Sequence, residues 1–213
     1  PRLPKFFKTT EDGYYRGLRN GLRNGNKFQG DPNLSMPTIT RGTTYVWMTA
    51  AEIWLLRAEG ALLGWNMGGD AKTLYEKGIR SSFAQYGLSA EADNYLASTN
   101  TPAAYQGLDG SPSAEAPSDI TPAWDDNATL EKKLERIITQ KWIAIYPLGQ
   151  EAWSEFRRTG YPKIYPIVNN LSNGKVSTTE QVRRVPFPAS EYSGNMSEVE
   201  KAIKLLGGED TGG

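Results

Sequence analysis

The chain has 213 residues, with 24 Lys and Arg balanced by 24 Asp and Glu, and neither cysteine nor histidine. Zero net charge argues against a polyanion-binding protein, and the two missing residue types exclude disulfides, thiolate nucleophiles, Ser-His-Asp triads and histidine-based zinc sites within these residues. Apolar content is a modest 38% and aromatic content a generous 11%, while 22 glycines and 13 prolines predict long irregular connections between elements.

Residues 1–45 show little periodicity. PRLPKFF opens the chain, Tyr14 and Tyr15 follow, and a tandem LRNG (Leu18–Gly21, Leu22–Gly25) predicts two left-handed turns at Asn-Gly rather than a repeat array. Arg2, Lys5, Lys8, Arg16, Arg19, Arg23 and Lys27 make the segment basic, but the excess fades along the chain, so a solvated loop is a better reading than nucleic-acid binding.

From Thr49 a helical pattern sets in. Thr49 and Glu52 form a capping box, Ala51, Leu55, Ala58 and Leu62 share one stripe, and Gly64 stops the helix. Asp70 caps a second helix carrying Leu74, Tyr75, Phe83 and Tyr86 up to Gly87. The small residues Ala58, Ala71 and Gly78 allow close approach of the two, a tetratricopeptide-like pair over 49–87. Arg57 and Glu59 are expected as an ion pair on its face.

Residues 88–125 turn rich in Ser, Thr, Pro, Gly and Ala, yet keep Tyr95, Tyr105 and Trp124, which a pure linker tends to avoid. An ordered loop insertion is expected there. Residues 126–160 then read as a helical hairpin. Leu130, Leu134, Ile137, Ile138, Trp142 and Ile145 give one apolar face, Pro147 and Gly149 break it, and Gln150–Arg158 forms a shorter helix ending at Gly160. Trp54, Trp142, Trp153 and Phe156 fall on apolar faces and are expected in the core. Arg157 and Arg158 stand at a helix end, where cations suit the macrodipole. Beyond it, Asn173-Gly174 is placed as the turn of a small β-hairpin. Pro186 and Pro188 predict an extended run, a short helix covers about Ser197–Leu206, and 207–213 reads as a flexible tail. The fold class is all-α: tetratricopeptide-like helical pairs with long irregular loops and that one hairpin.

Three stretches resemble a known family. Glu52–Glu59 (EIWLLRAE), Gln140–Pro162 (QKWIAIYPLGQEAWSEFRRTGYP) and Val182–Tyr192 (VRRVPFPASEY) are similar to segments of SusD/RagB-type proteins, the surface nutrient-binding lipoproteins of Bacteroidetes outer membranes. The resemblance touches most of residues 1–206. It implies a carboxy-terminal portion of one SusD-like domain, since family members are longer and carry an amino-terminal lipobox cysteine. It also implies non-catalytic capture of a glycan or other nutrient at the cell surface, as a lid on a SusC-like TonB-dependent transporter. The membrane would be reached only through a lipid anchor outside this chain.

Sugar rings stack on Trp and Tyr through their apolar faces while their hydroxyls seek placed polar groups. Loop aromatics are therefore the candidate ligand-binding residues: Tyr14, Tyr15, Trp65 with Asn66, Tyr95, Tyr105 and Trp124. No catalytic residue, metal ligand or cofactor is assigned. Asp93, Asp109, Asp119, Asp125 and Asp126 lack EF-hand spacing, and there is no Walker or dinucleotide motif. Two rivals remain. A helical-repeat interaction scaffold needs more repeats than the one pair visible. A glycoside hydrolase needs two carboxylates converging across ~5–9 Å; Asp125 and Asp126 are adjacent and read as a helix start, and Glu52 and Glu59 read as surface charges.

Overall fold

A computed structural model describes residues 1–23, 31–108 and 110–212 of the chain. The second Asn-Gly turn, Lys27 and Asp109 lie outside the described residues. The chain forms two compact units, one from Pro1–Leu18 and Asn24–Ile164, the other from Arg19–Arg23 and Tyr165–Gly213.

In the first unit a short α1 (Leu3–Phe6) precedes α2 (Ala50–Leu62) and α3 (Ala71–Gln85). The Thr49 hydroxyl accepts from the Glu52 amide at 3.1 Å, and the Asp70 carboxylate accepts from the Thr73 amide at 2.9 Å, so both predicted caps start their helices. The two helices form a close hairpin whose contact explains Gly78. A Cβ there would stand 2.6 Å from Leu55 Cγ and 3.3 Å from the Ala51 carbonyl oxygen. Leu55, Leu74, Tyr75, Ile79 and Phe83 are fully buried in the resulting core, joined by Ile137 of α5 (Leu130–Ala144). A short helical turn, Ser89–Glu91, leads into α4 (Ala92–Leu96). The two ends of the following segment are tied down, because the Tyr75 hydroxyl donates to the Pro122 carbonyl at 2.7 Å and the Ala123 amide to the Ser98 carbonyl at 3.0 Å. The cap of α5 is Thr129, accepting from the Lys132 amide, so Asp125 and Asp126 sit in the preceding turn rather than at the helix start.

α5 and α6 (Gly149–Thr159) correct the simple apolar-face picture. Trp142, expected in the core, is 40% exposed, and Leu130 is exposed as well. Trp54 and Trp153 are half-buried beneath the Arg57 and Arg157 guanidiniums, and only Phe156 of the four is buried. In their place α5 buries Glu135, Arg136, Gln140 and Lys141. Lys141 Nζ lies 2.8 Å from Glu155, 3.2 Å from Glu151 and 3.8 Å from Glu52. Arg158 holds Glu59 through two hydrogen bonds of 2.6 and 2.8 Å and reaches Glu155 at 2.7 Å. Glu59 thus pairs with Arg158, not with Arg57, which instead donates to the Met67 carbonyl. Glu52, Glu59, Lys141, Glu151, Glu155 and Arg158 form one charged cluster joining α2, α5 and α6.

The two buried carboxyls shift in opposite directions. Burial pushes Glu52 up, only partly offset by the Lys141 charge. Burial also acts to raise Glu155, but hydrogen bonds from Arg158 and Lys141 outweigh it and hold the group below its ordinary range. Glu155 therefore favours the folded state above its ordinary pKa and loses that contribution as pH falls through the depressed folded value; Glu52 does the reverse as pH rises through its raised value. In urea titrations, Glu155→Gln is expected to lower the midpoint at neutral pH and to flatten its fall below about pH 4.5. Glu52→Gln should instead act above that pH, removing the gain in stability that accompanies protonation of Glu52 as pH falls from its raised value.

In the second unit Asn173 and Gly174 both take positive φ, 52° and 85°, so the predicted turn forms. No strand flanks it among the described residues, only an isolated bridge between Ser177 and Gln181. The expected hairpin is absent: side chains such as Asn170, which donates to the Val176 carbonyl, take up groups that a ladder would use. Residues from Ala189 form a short α7 (Ala189–Gly194) rather than continuing extended, and α8 (Met196–Leu206) follows. The end of the chain is fastened, since the Arg183 and Arg184 amides donate to the Gly212 carbonyl and Arg184 pairs with Asp210. Among the described residues no helix is long and apolar enough to cross a membrane.

Candidate functional site

Between α1, the segment 38–49 and the α5–α6 turn lies a cavity of about 200 Å³. Its walls are aromatic. Phe6 packs edge-on against Tyr86 at 5.1 Å and against Tyr146 at 4.7 Å, and Tyr45 closes another side. Its polar lining residues are Thr38, Thr43, Thr44, Thr49, Gln85 and Lys5, with the Thr38 hydroxyl donating to the Lys5 and Phe6 carbonyls and the Thr49 hydroxyl accepting from the Glu52 amide. Backbone bonds fix the frame: the Thr38 amide donates to the Phe6 carbonyl, the Lys8 amide to the Met36 carbonyl, and the Thr40 amide to the Thr43 hydroxyl. Burial raises the Tyr86 phenol, which stays protonated and donates to the Tyr146 carbonyl at 3.4 Å. The volume is below the roughly 300–1,000 Å³ of sites for drug-sized ligands, so the cavity suits one ring rather than a chain.

Beside it, in the irregular segment entering α2, Trp47 is 84% exposed, with its ring 5.5 Å from that of Tyr45 and nearly perpendicular to it. Met48 is also exposed, and Val46 lines the cavity. An indole held open to solvent next to an aromatic-walled, hydroxyl-lined cavity is a stacking platform with a recess at its edge. Among the described residues no carboxylate lines the cavity.

The residues chosen from loop position are spread over the first unit, and none lines this cavity. Tyr14 is exposed, with the Arg16 guanidinium over its ring at 4.9 Å; Tyr15 stands beside it in sequence, at the edge of exposure. Trp65 is exposed just after α2, and Asn66 turns its side-chain oxygen to the Gly68 amide. Tyr105 donates to the Gly17 carbonyl at 3.2 Å. Tyr95 is half-buried against Phe83 at 5.0 Å and shares hydrogen bonds with Arg2 and Gln140. Trp124 lies 5.3 Å from Tyr75, with its indole N–H donating to Asp126. Tyr45 and Trp47 escaped the sequence reading. Their only signal was two aromatics two residues apart just before the helix cap at Thr49, Tyr45 and Trp47 being exposed and Thr49 buried.

A model of the SusD-like family, described as Susd and RagB outer membrane lipoprotein, matches residues 1–213. Among solved structures, a SusD homologue from Bacteroides thetaiotaomicron is 43% identical with a TM-score of 0.90, the match covering 100% of this chain and 47% of that one. A chitin-binding SusD homologue from Flavobacterium johnsoniae is 44% identical with a TM-score of 0.87, covering 100% and 45%. A third, from Bacteroides uniformis, is 41% identical with a TM-score of 0.90, covering 99% and 45%. No curated protein matches. The chain thus spans about half the length of the structures it resembles. With the whole chain matched and helices superposing this closely, it belongs to the SusD-like family.

Proposed function

We propose that this chain contributes to non-catalytic capture of a glycan at the outer-membrane surface, for delivery to a SusC-like TonB-dependent transporter. The carrying observation is the recess walled by Phe6, Tyr45, Tyr86 and Tyr146 beside the open Trp47 ring. One pyranose enters the recess, meeting aromatic walls with its C–H face and the Thr, Gln85 and Tyr86 groups with its hydroxyls; the next ring stacks on Trp47. The chitin-binding homologue and the family's description as outer membrane lipoproteins support this reading. Tyr14 and Trp65 with Asn66, presented to solvent elsewhere, are secondary contacts for longer glycans. Among the described residues the recess presents no pair of acids of the kind hydrolysis uses across the scissile bond, which supports a capture role.

The test is retardation in native gels containing a panel of polysaccharides, with product analysis alongside. Trp47→Ala is expected to weaken binding about tenfold, the worth of ~1.4 kcal/mol, and Tyr45→Ala by a similar factor, with no new reducing ends. Release of sugar products would point to a hydrolase. Unchanged retardation in both variants would remove this site from the reading.

A further inference from the structure

A second feature of the first unit points to a ligand. The loop 119–129 and the first turns of α5 enclose an open groove of about 740 Å³, lined by Trp124, Asp125, Asn127, Thr121, Lys132 and Arg136 among others. Arg136 is only 5% exposed, so its side chain is committed to this wall. Its Nε donates to the Thr121 carbonyl at 3.1 Å, but its Nη1 is buried with no acceptor among the described residues. A buried guanidinium N–H left unpaired costs on the order of 1–3 kcal/mol or more, and such a donor behind a polar groove marks a place for an incoming oxygen.

Charge narrows what that oxygen belongs to. Asp119, Asp125 and Asp126 line the same groove, which disfavours an anion. Asp119 is paired with Lys132 and Asp126 with Lys72, while the neighbouring Arg136 cation disfavours a metal ion. No group of acids or histidines suited to a metal exists among the described residues. What remains is a neutral polyhydroxyl ligand. Asp125 is exposed and its Oδ1 accepts only from the Asn127 amide, so the carboxylate retains capacity to accept from ligand hydroxyls. Trp124 is locked by its bond to Asp126 and its packing on Tyr75, a platform whose orientation is set before any ligand arrives.

We propose that this groove is a second glycan site, distinct from the recess beside Trp47. It takes a neutral pyranose with its ring face on Trp124, its hydroxyls donating to Asp125, and an acceptor oxygen satisfying Arg136 Nη1 directly or through one water. It goes beyond the proposed function, which needs only the recess.

The experiment is calorimetric titration of the chain with neutral tetrasaccharides, a chitotetraose and a maltotetraose, and with tetragalacturonate as the anionic counterpart. Two sites per chain are expected for at least one neutral probe, and weaker groove binding for the anionic one. Asp125→Ala and Asn127→Ala, both at exposed positions, should weaken the groove site at least about threefold with thermal stability unchanged. Trp124→Ala should abolish it, and Trp47→Ala should leave it intact. One site that Trp47→Ala removes, with the groove variants silent, overturns this inference and leaves the proposed function standing. Absence of binding to any probe overturns both.

Discussion

Replacing Lys141 with alanine is expected to destabilise the first unit by about 3–5 kcal/mol, the cost of stripping one partner from a buried ion pair. Three carboxylates, Glu52, Glu151 and Glu155, converge on its amine, and Glu52 and Glu155 are themselves buried. Without the ammonium the buried Glu52 and Glu155 lose their shared counter-charge and face each other and the part-exposed Glu151. At ~2–4 °C per kcal/mol for a chain of this size, the melting temperature should fall by about 10 °C. The cause is distinguishable from lost packing. Lys141→Met keeps most of the aliphatic stem, and should be nearly as damaging alone but recover much of the loss when combined with Glu52→Gln and Glu155→Gln. Thermal denaturation of the three variants checks this; equal instability of the combined variant would show that the amine's packing matters rather than its charge.

Gly78→Val should be the other severe change. The new Cβ would lie 2.6 Å from Leu55 Cγ and 2.9 Å from its Cδ2, with the Ala51 carbonyl behind it, so α3 must move away from α2. Overpacking of this kind costs typically about 1–3 kcal/mol, and here backbone as well as side chain has to yield. Gly78→Ala should cost less, because alanine's better helix propensity returns close to ~1 kcal/mol. Truncating the obstructing side chain gives a sharper check. Leu55→Ala alone leaves a cavity, but the pair Leu55→Ala/Gly78→Val should be more stable than the two single losses predict, by roughly 0.5–3 kcal/mol of coupling. Strict additivity in urea melts would mean the two residues do not meet.

These two residues also show what could be read from the sequence. The α2–α3 pair was legible because its signals are local: Thr49 and Asp70 cap within three residues, glycines follow each helix, and Gly78 sits where the stripes meet. Family identity was legible for another reason. Glu52, Glu59, Lys141, Glu151, Glu155 and Arg158 fall in the very motifs that carried the resemblance, and they hold the helices together through charge. What could not be read was their pairing. Glu59 meets Arg158 across 99 residues, and a helical face holding Arg57 nearby offered a closer partner that the fold does not use. Hydrophobic periodicity misplaced Trp142 for the same reason: α5 turns buried charges inward and leaves that indole outside.

The candidate site was harder still. Loop position pointed to aromatics, but tertiary structure decides which of them keep a free face. Tyr95 is partly taken up by the core and Trp124 packs on Tyr75 while still lining the groove, whereas Tyr45 and Trp47, in a run too short to show a strong pattern, are held out beside the recess. Nor does sequence show that Phe6, Tyr86 and Tyr146, far apart in the chain, gather around one cavity.

The most direct test of glycan capture at this recess is hydrogen–deuterium exchange of the protein with and without a retained oligosaccharide. Slower exchange is predicted for amides of 38–49, around 85–86 and 145–148, the segments that line the recess, and Trp47→Ala should erase the change. A glycan that binds while leaving those segments unprotected, or that protects them equally in Trp47→Ala, would contradict the recess as the capture site.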